Sequence, residues 1–302
     1  MSKIVELYGL STEAEADWPA VIATQYCPFL RRKCLKNRKS APEITIGSCS
    51  VEAGKQRAPV MICPFRLLER NQIFMDCIHL LTLHEPGNEL HLVAQLGVPG
   101  GSIDYCLVSA KNGNPVDFVG IELQTLDTTG TVWPERQRFA HRHGVSVKRA
   151  DRTSPKPFGL NWKMTAKTIL VQLHHKIQTF EHVGKHLVLV DQDYLTAYMK
   201  KEFTFDYLHA ARLGDPMHFH SYSLEKSNEG NPRLQLAERL STDGEGIAKC
   251  LGLQGEANVE LEDILRQLEA KISAQTLMSV EQPPPSVSKI NEATEKENKP
   301  AR

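Results

Sequence analysis

Asp104, Glu122 and Gln124 are the residues whose types and spacing point to catalysis. Asp104 lies in the strand-like stretch Ser102-Ile103-Asp104-Tyr105. Eighteen residues later comes Gly120-Ile121-Glu122-Leu123-Gln124. Alternate residues of a strand share a face, so Glu122 and Gln124 point the same way. A hairpin between the two stretches brings Asp104 beside Glu122. Two carboxylates on one sheet face, with the Leu123 carbonyl, are oxygen ligands for a hard cation such as Mg²⁺. Such a cation polarises a scissile phosphate and activates water near neutral pH. Gln124 would orient that water, where a lysine more often stands. The pattern alone is common among strands, and two edge carboxylates facing solvent is the plain alternative. Against it, FVGIELQ reads as a core strand, in which two polar residues on one face need a reason.

Cysteine forms the second constellation. Cys27, Cys34, Cys49 and Cys63 are separated by six, fourteen and thirteen residues. This is not the close pairing of a zinc ribbon, but four thiolates are what a tetrahedral Zn²⁺ or Fe site needs. Two recur in matching contexts, Cys27-Pro28-Phe29 and Cys63-Pro64-Phe65, whose turns can aim backbone N–H groups at sulfur. A set of buried free thiols is the alternative. Cys77, Cys106 and Cys250 sit in apolar stretches and read as core.

Two basic runs suit phosphate contacts. One holds Arg31, Arg32, Lys33, Lys36, Arg38 and Lys39. The other holds Arg136, Arg138, Arg142, Lys148, Arg149, Arg152 and Lys156. Solvated faces are the plain alternative. Arg31, Arg32 and Lys33 are candidates for reading guanine edges, and Arg136 and Arg138 for gripping the backbone. His174 and His175 are adjacent on a helix and face different directions. His218 and His220 share a strand face but are only two ligands. Glu89 reads as a surface residue or an outer metal ligand.

The elements that must position these groups follow from pattern. Residues 1–23 read as a helical lead-in, 24–70 as a loop-rich metal-held module, and 71–84 as a buried helix. Strands are expected at LHLVAQL, SIDYCLV and FVGIELQ, the last two joined by an Asn112–Gly113 turn. A long helix spans 162–182. A strand is expected at 186–190, a helix at 193–201 and a strand at 217–224. An amphipathic helix is expected at 259–273, a candidate dimer contact or core helix. After Val280 the chain is Pro-rich and polar, and 281–302 reads as disordered. The division expected is 1–70 (the four-cysteine metal module), 71–280 (the domain with the paired carboxylates) and 281–302 (the tail).

With 302 residues and 41% hydrophobic content, a sizeable core is available. No apolar run reaches the ~20 residues of a membrane span, and the start of the chain has no secretory pattern. A cytoplasmic protein is the expectation, in which seven cysteines favour metal or buried thiols over disulfides. Net charge is formally zero. The body through residue 226 is mildly basic and the remainder acidic.

The cysteine series CPF–C–GSCSV–ICP, followed by D…IELQTLDTTGT, resembles the NotI-type restriction endonucleases over roughly residues 24–210. The resemblance implies an α/β (α+β) architecture: a PD-(D/E)XK core in which Gln replaces the final Lys, behind an N-terminal four-cysteine metal module. It implies Asp104, Glu122 and Gln124 as catalytic residues, and Cys27, Cys34, Cys49 and Cys63 as ligands of Fe, with Zn²⁺ as substitute. It also implies Mg²⁺-dependent cleavage of double-stranded DNA by a bacterial type II enzyme, working as a homodimer on a GC-rich palindrome beside a partner methyltransferase. A nuclease of the same fold in repair or mobile-element defence, a catalytically silent DNA-binding protein, and a redox protein built on the cysteines remain as alternatives.

Overall fold

The computed structural model describes residues 3–54, 57–155, 157–226 and 231–253, together with Arg266. Met1–Gln254 form one compact unit and Gly255–Arg302 a second. The helix expected at 259–273, apart from Arg266, and the tail at 281–302 lie outside the described residues. The fold is mixed α+β, with seven α-helices among the described residues.

The chain opens with β1 (Ile4–Leu7), β2 (Leu10–Ser11) and α1 (Trp18–Thr24). Two short ladders follow: β3 (Tyr26–Cys27) with β4 (Arg32–Lys33), and β5 (Asn37–Arg38) with β6 (Ala41–Thr45). Next come β7 (Ser48–Ala53) and β8 (Ala58–Met61), which complete an antiparallel sheet of order β2-β1-β7-β8. The helical lead-in expected over 1–23 is thus corrected. Ile4 pairs with Val51 and both are buried, so a long-range ladder overrides local pattern. A helix starts only where Asp17 caps the Ala20 N–H, with Pro19 in the first turn.

The single helix expected at 71–84 is also corrected. Pro64–Asn71 forms 3₁₀ turns, followed by α2 (Gln72–Met75) and a 3₁₀ turn at Ile78–Leu80. Beyond Met75 the backbone bonds tighten to three-residue spacing, Cys77 N–H to the Phe74 carbonyl and Leu80 N–H to the Cys77 carbonyl, and Leu81, with ψ 82°, ends the run. The apolar residues still bury: Ile73, Phe74, Cys77 and Leu80 all join the core.

The main sheet begins as a meander of β9 (Glu89–Val98), β10 (Gly101–Lys111) and β11 (Asn114–Leu123). Asn112 and Gly113 take φ 53° and 77°, the two positive values that a tight hairpin turn demands. β12 (Thr128–Gly130), α3 (Trp133–Arg142), α4 (Arg149–Thr153) and β13 (Phe158–Leu160) then lead to α5 (Trp162–His182). α5 returns the chain so that β14 (His186–Gln192) lies parallel to β11. After α6 (Asp193–Glu202) and β15 (His209–Ala210), β16 (Met217–Lys226) lies parallel to β14. β17 (Pro232–Thr242) and α7 (Gly244–Cys250) complete the fold, and the sheet order is β15-β17-β16-β14-β11-β10-β9.

β14 is apolar at every position from Leu187 to Val190 because both its faces are covered. Leu187 and Leu189 pack with Ile169, Leu173, Ile177 and Phe180 of α5. Val188 and Val190 pack with Leu67, Ile73 and Leu80 from the turns on the other face. Each such side chain contributes roughly 1.5–3 kcal/mol by leaving water. Gly120 lets α5 approach β11, since a Cβ there would stand 2.4 Å from the Phe180 ring.

Candidate active site

Register decides which residues meet. From the turn, the β10–β11 ladder runs Lys111 to Asn114 and Ala110 to Pro115, then slips by one residue so that Ser109 faces Asp117. Val116 is the extra residue of this bulge. The ladder continues to Tyr105 facing Ile121, which makes Asp104 and Glu122 the next opposed positions. Without the slip, Ile103 would oppose Glu122 instead.

The ladder stops at that point and side chains take over. Asp104 Oδ2 accepts the Leu123 N–H at 2.9 Å. The Gln124 N–H turns to the other neighbour and donates to the Val190 carbonyl at 2.9 Å. A cleft of about 290 Å³ opens there, lined by Asp104, Glu122, Leu123 and Gln124 with Ser102 and Lys176. The four residues expected to share a site therefore do share one cleft. Gln124 has its amide nitrogen on the Thr125 carbonyl at 2.6 Å.

Glu122 is buried, and its carboxyl is pushed up to about 7. Burial is the largest cause. The Lys176 ammonium and an Asp104 backbone hydrogen bond pull it back, and the Asp104 charge raises it. Two carboxylates lining one cleft repel each other unless a cation lies near, and the Lys176 ammonium is 2.7 Å from Glu122 Oε1. The donor set is all oxygen and fits a hard cation such as Mg²⁺.

Lys176 is the residue that pattern reading missed. It lies on the buried face of α5 between Leu173 and Phe180, so its signal was a charge on an apolar helical stripe.

The four cysteines fall in the N-terminal part. The Cys34 N–H donates to the Gln25 carbonyl beside the β3–β4 ladder, and the Ile62 N–H donates to the Cys49 carbonyl beside β7–β8. All four are buried. Burial pushes the Cys63 thiol up to about 11, the Lys36 charge lowers it, and Cys34 and Cys27 add to the rise. Cys27 is raised by burial and eased by Leu30 and Phe29 backbone hydrogen bonds. Cys49 is raised well above the usual thiol range by burial, then by Cys63. The donor chemistry of four thiols with nearby N–H groups suits a soft tetrahedral cation. Among the described residues, no group of three or more His, Cys, Asp or Glu side chains is arranged to hold a metal ion.

The basic candidates separate by exposure. Arg31, Arg32 and Lys33 lie exposed at the β3–β4 turn, with Lys33 Nζ on the Glu43 carbonyl. Arg136 is not on the surface. It is buried, donates to Gln137 Oε1 and Tyr8 Oη, and lies 4.9 Å from the Trp133 ring. Charge in a sequence does not distinguish a buried guanidinium from a solvated one. Arg138 is half-exposed, with bonds to Glu135 and to the Arg152 and Ser154 carbonyls. His218 and His220 do share a face, and both are buried.

Among the described residues no helix is long and apolar enough to cross a membrane. No curated protein matches the chain. The profile of the family described as restriction endonuclease NotI matches residues 21–211, a span that contains every cysteine of the N-terminal series and the whole carboxylate cleft. The chain belongs to the NotI restriction endonuclease family.

Proposed function

We propose that the chain is a Mg²⁺-dependent type II restriction endonuclease with a PD-(D/E)XK core, cutting double-stranded DNA at a GC-rich palindrome. The observation that carries this reading is the cleft in which Asp104 and Glu122 stand together beside the Leu123 peptide. Asp104, Glu122 and the Leu123 carbonyl would hold Mg²⁺, and Gln124 would orient the attacking water. Bound Mg²⁺ supplies Lewis acidity toward the scissile phosphate. The protein sets the carboxylates in place before DNA arrives, which lowers the cost of assembling the site.

Cys27, Cys34, Cys49 and Cys63 would hold a structural Fe, or Zn²⁺ in its place, in a recognition module spanning 1–70. That module would carry Arg31, Arg32 and Lys33 toward the major groove, with Arg138 on a phosphate. A palindromic target calls for a two-fold symmetric homodimer. A bacterial cytoplasmic role beside a protecting methyltransferase completes the reading.

The test is incubation of a supercoiled plasmid with Mg²⁺, with EDTA, and with Glu122→Ala. Linear products in the first arm alone are expected. Cutting that survives Glu122→Ala would remove the cleft from the chemistry.

A further inference from the structure

A buried ammonium is strongly unfavourable unless it is paired and hydrogen-bonded. Lys176 is 5% exposed and meets both conditions inside the cleft. Its Nζ donates to Glu122 Oε1 at 2.7 Å and to the Ser102 carbonyl at 2.7 Å. Ser102 is itself fixed, because the Gly100–Gly101 turn lies directly on α5. Gly100 takes φ 91°, and a Cβ there would stand 2.8 Å from the His175 carbonyl oxygen. Hydrogen bonds through Lys176 thus link the turn to Glu122.

Strand β11 brings no cation of its own to the cleft. Gln124, just past the end of β11, is neutral, and its amide nitrogen is on the Thr125 carbonyl. The geometry points to Lys176 as a positioning residue for phosphodiester hydrolysis, reaching from α5 to supply the fixed positive charge that β11 lacks and to hold Glu122 by one oxygen. This rests on the nuclease reading. Asp104 is held in the same manner, with Oδ2 on the Leu123 N–H. Each carboxylate thus has one oxygen tied to the protein, so its orientation toward the cleft is set without any ligand. Groups that orient a metal's carboxylates in this way govern both affinity and rate.

The test compares the wild type with Lys176→Met, Lys176→Gln and Lys176→Arg. Four quantities are read: single-turnover cleavage rate in Mg²⁺, duplex affinity in Ca²⁺, Mn²⁺ binding by calorimetry, and melting temperature. Lys176→Met and Lys176→Gln are expected to lose about 10- to 100-fold in rate and in Mn²⁺ affinity. Duplex affinity should stay within about threefold, since the lysine is buried and already paired with Glu122. Lys176→Arg is expected to recover part of the rate. Tighter Mn²⁺ binding with wild-type cutting in Lys176→Met would overturn the proposal and make the lysine a mere occupant that the metal displaces. Parallel loss of melting temperature, duplex affinity and rate in both neutral variants would also overturn it, in favour of a packing role. Failure of the wild type to cut any DNA would sink the nuclease reading instead, and the Mn²⁺ arm would still decide whether Lys176 orients Glu122.

Discussion

Burial governs the charged residues of this protein more than their neighbours do, and Asp191 is the clearest case. Its carboxyl is enclosed, accepts hydrogen bonds from Thr196 and Ser221, and is pushed up to about 7 by burial. The sign of the stability effect follows. Between the ordinary carboxylate value of 3.8 and about 7, the folded chain keeps a proton that the unfolded chain has lost. The group's contribution is therefore complete below pH 3.8 and disappears as pH rises to about 7. Asp191→Asn is expected to flatten that fall, measured as melting temperature from pH 4 to pH 8. An unchanged slope would show that Asp191 is ionised in the fold. Arg66 presents the opposite situation. It is buried against Glu6 at 2.8 Å and also bonds Glu69 and the Pro232 carbonyl. Removing one partner of such a pair leaves an uncompensated buried charge, so Arg66→Ala should cost roughly 3–5 kcal/mol in denaturant unfolding. A loss under about 1 kcal/mol would mean that water replaces the guanidinium.

At the scale of elements, the bulge at Val116 aligns the carboxylates. Deleting Val116 removes the extra residue and should leave a regular hairpin with Asp104 still opposite Glu122, so cutting should survive with the sheet, as read by a cleavage assay and circular dichroism. Lost cutting with an intact sheet would show that the bulge itself, and not only the register it sets, shapes the cleft. Gly100→Ala should slow cutting, because its Cβ would meet the α5 backbone 2.8 Å away. How much of this was legible in the sequence depended on whether the signal was local. The Asn112–Gly113 turn, the α5 span and the apolar run of β14 are local patterns, and the structure has all three. β1 was read as helix because its partner, β7, lies over forty residues away. Residues 71–84 read as one helix because nothing in their apolar run marks the tightening to 3₁₀ bonds after Met75 or the stop at Leu81. The carboxylate site was legible because its residues sit on neighbouring strands. Lys176 was not, because only the packing of α5 on the sheet brings it to Glu122.

For the whole molecule, a seven-stranded sheet whose central strand β14 is covered on both faces carries the cleft, and the N-terminal part carries Cys49 on β7, Cys27 on β3 and an exposed basic turn between β3 and β4. On the proposed division of labour, alanine at Arg31 and Arg32 should weaken specific cutting more than nonspecific DNA binding. Equal loss in both would remove the base-reading role. Metal analysis of the purified protein should find about one Fe or Zn per chain, and stripping it should lower the melting temperature. A metal-free protein of unchanged stability would return the cysteines to the core as plain thiols. The central claim is best tested by digesting a large, fully sequenced DNA with Mg²⁺, beside Glu122→Ala and a no-metal control. Discrete fragments that vanish in both controls are predicted, and their ends would give the target sequence. A smear lost in both controls would contradict site-specific cutting and leave a nonspecific nuclease.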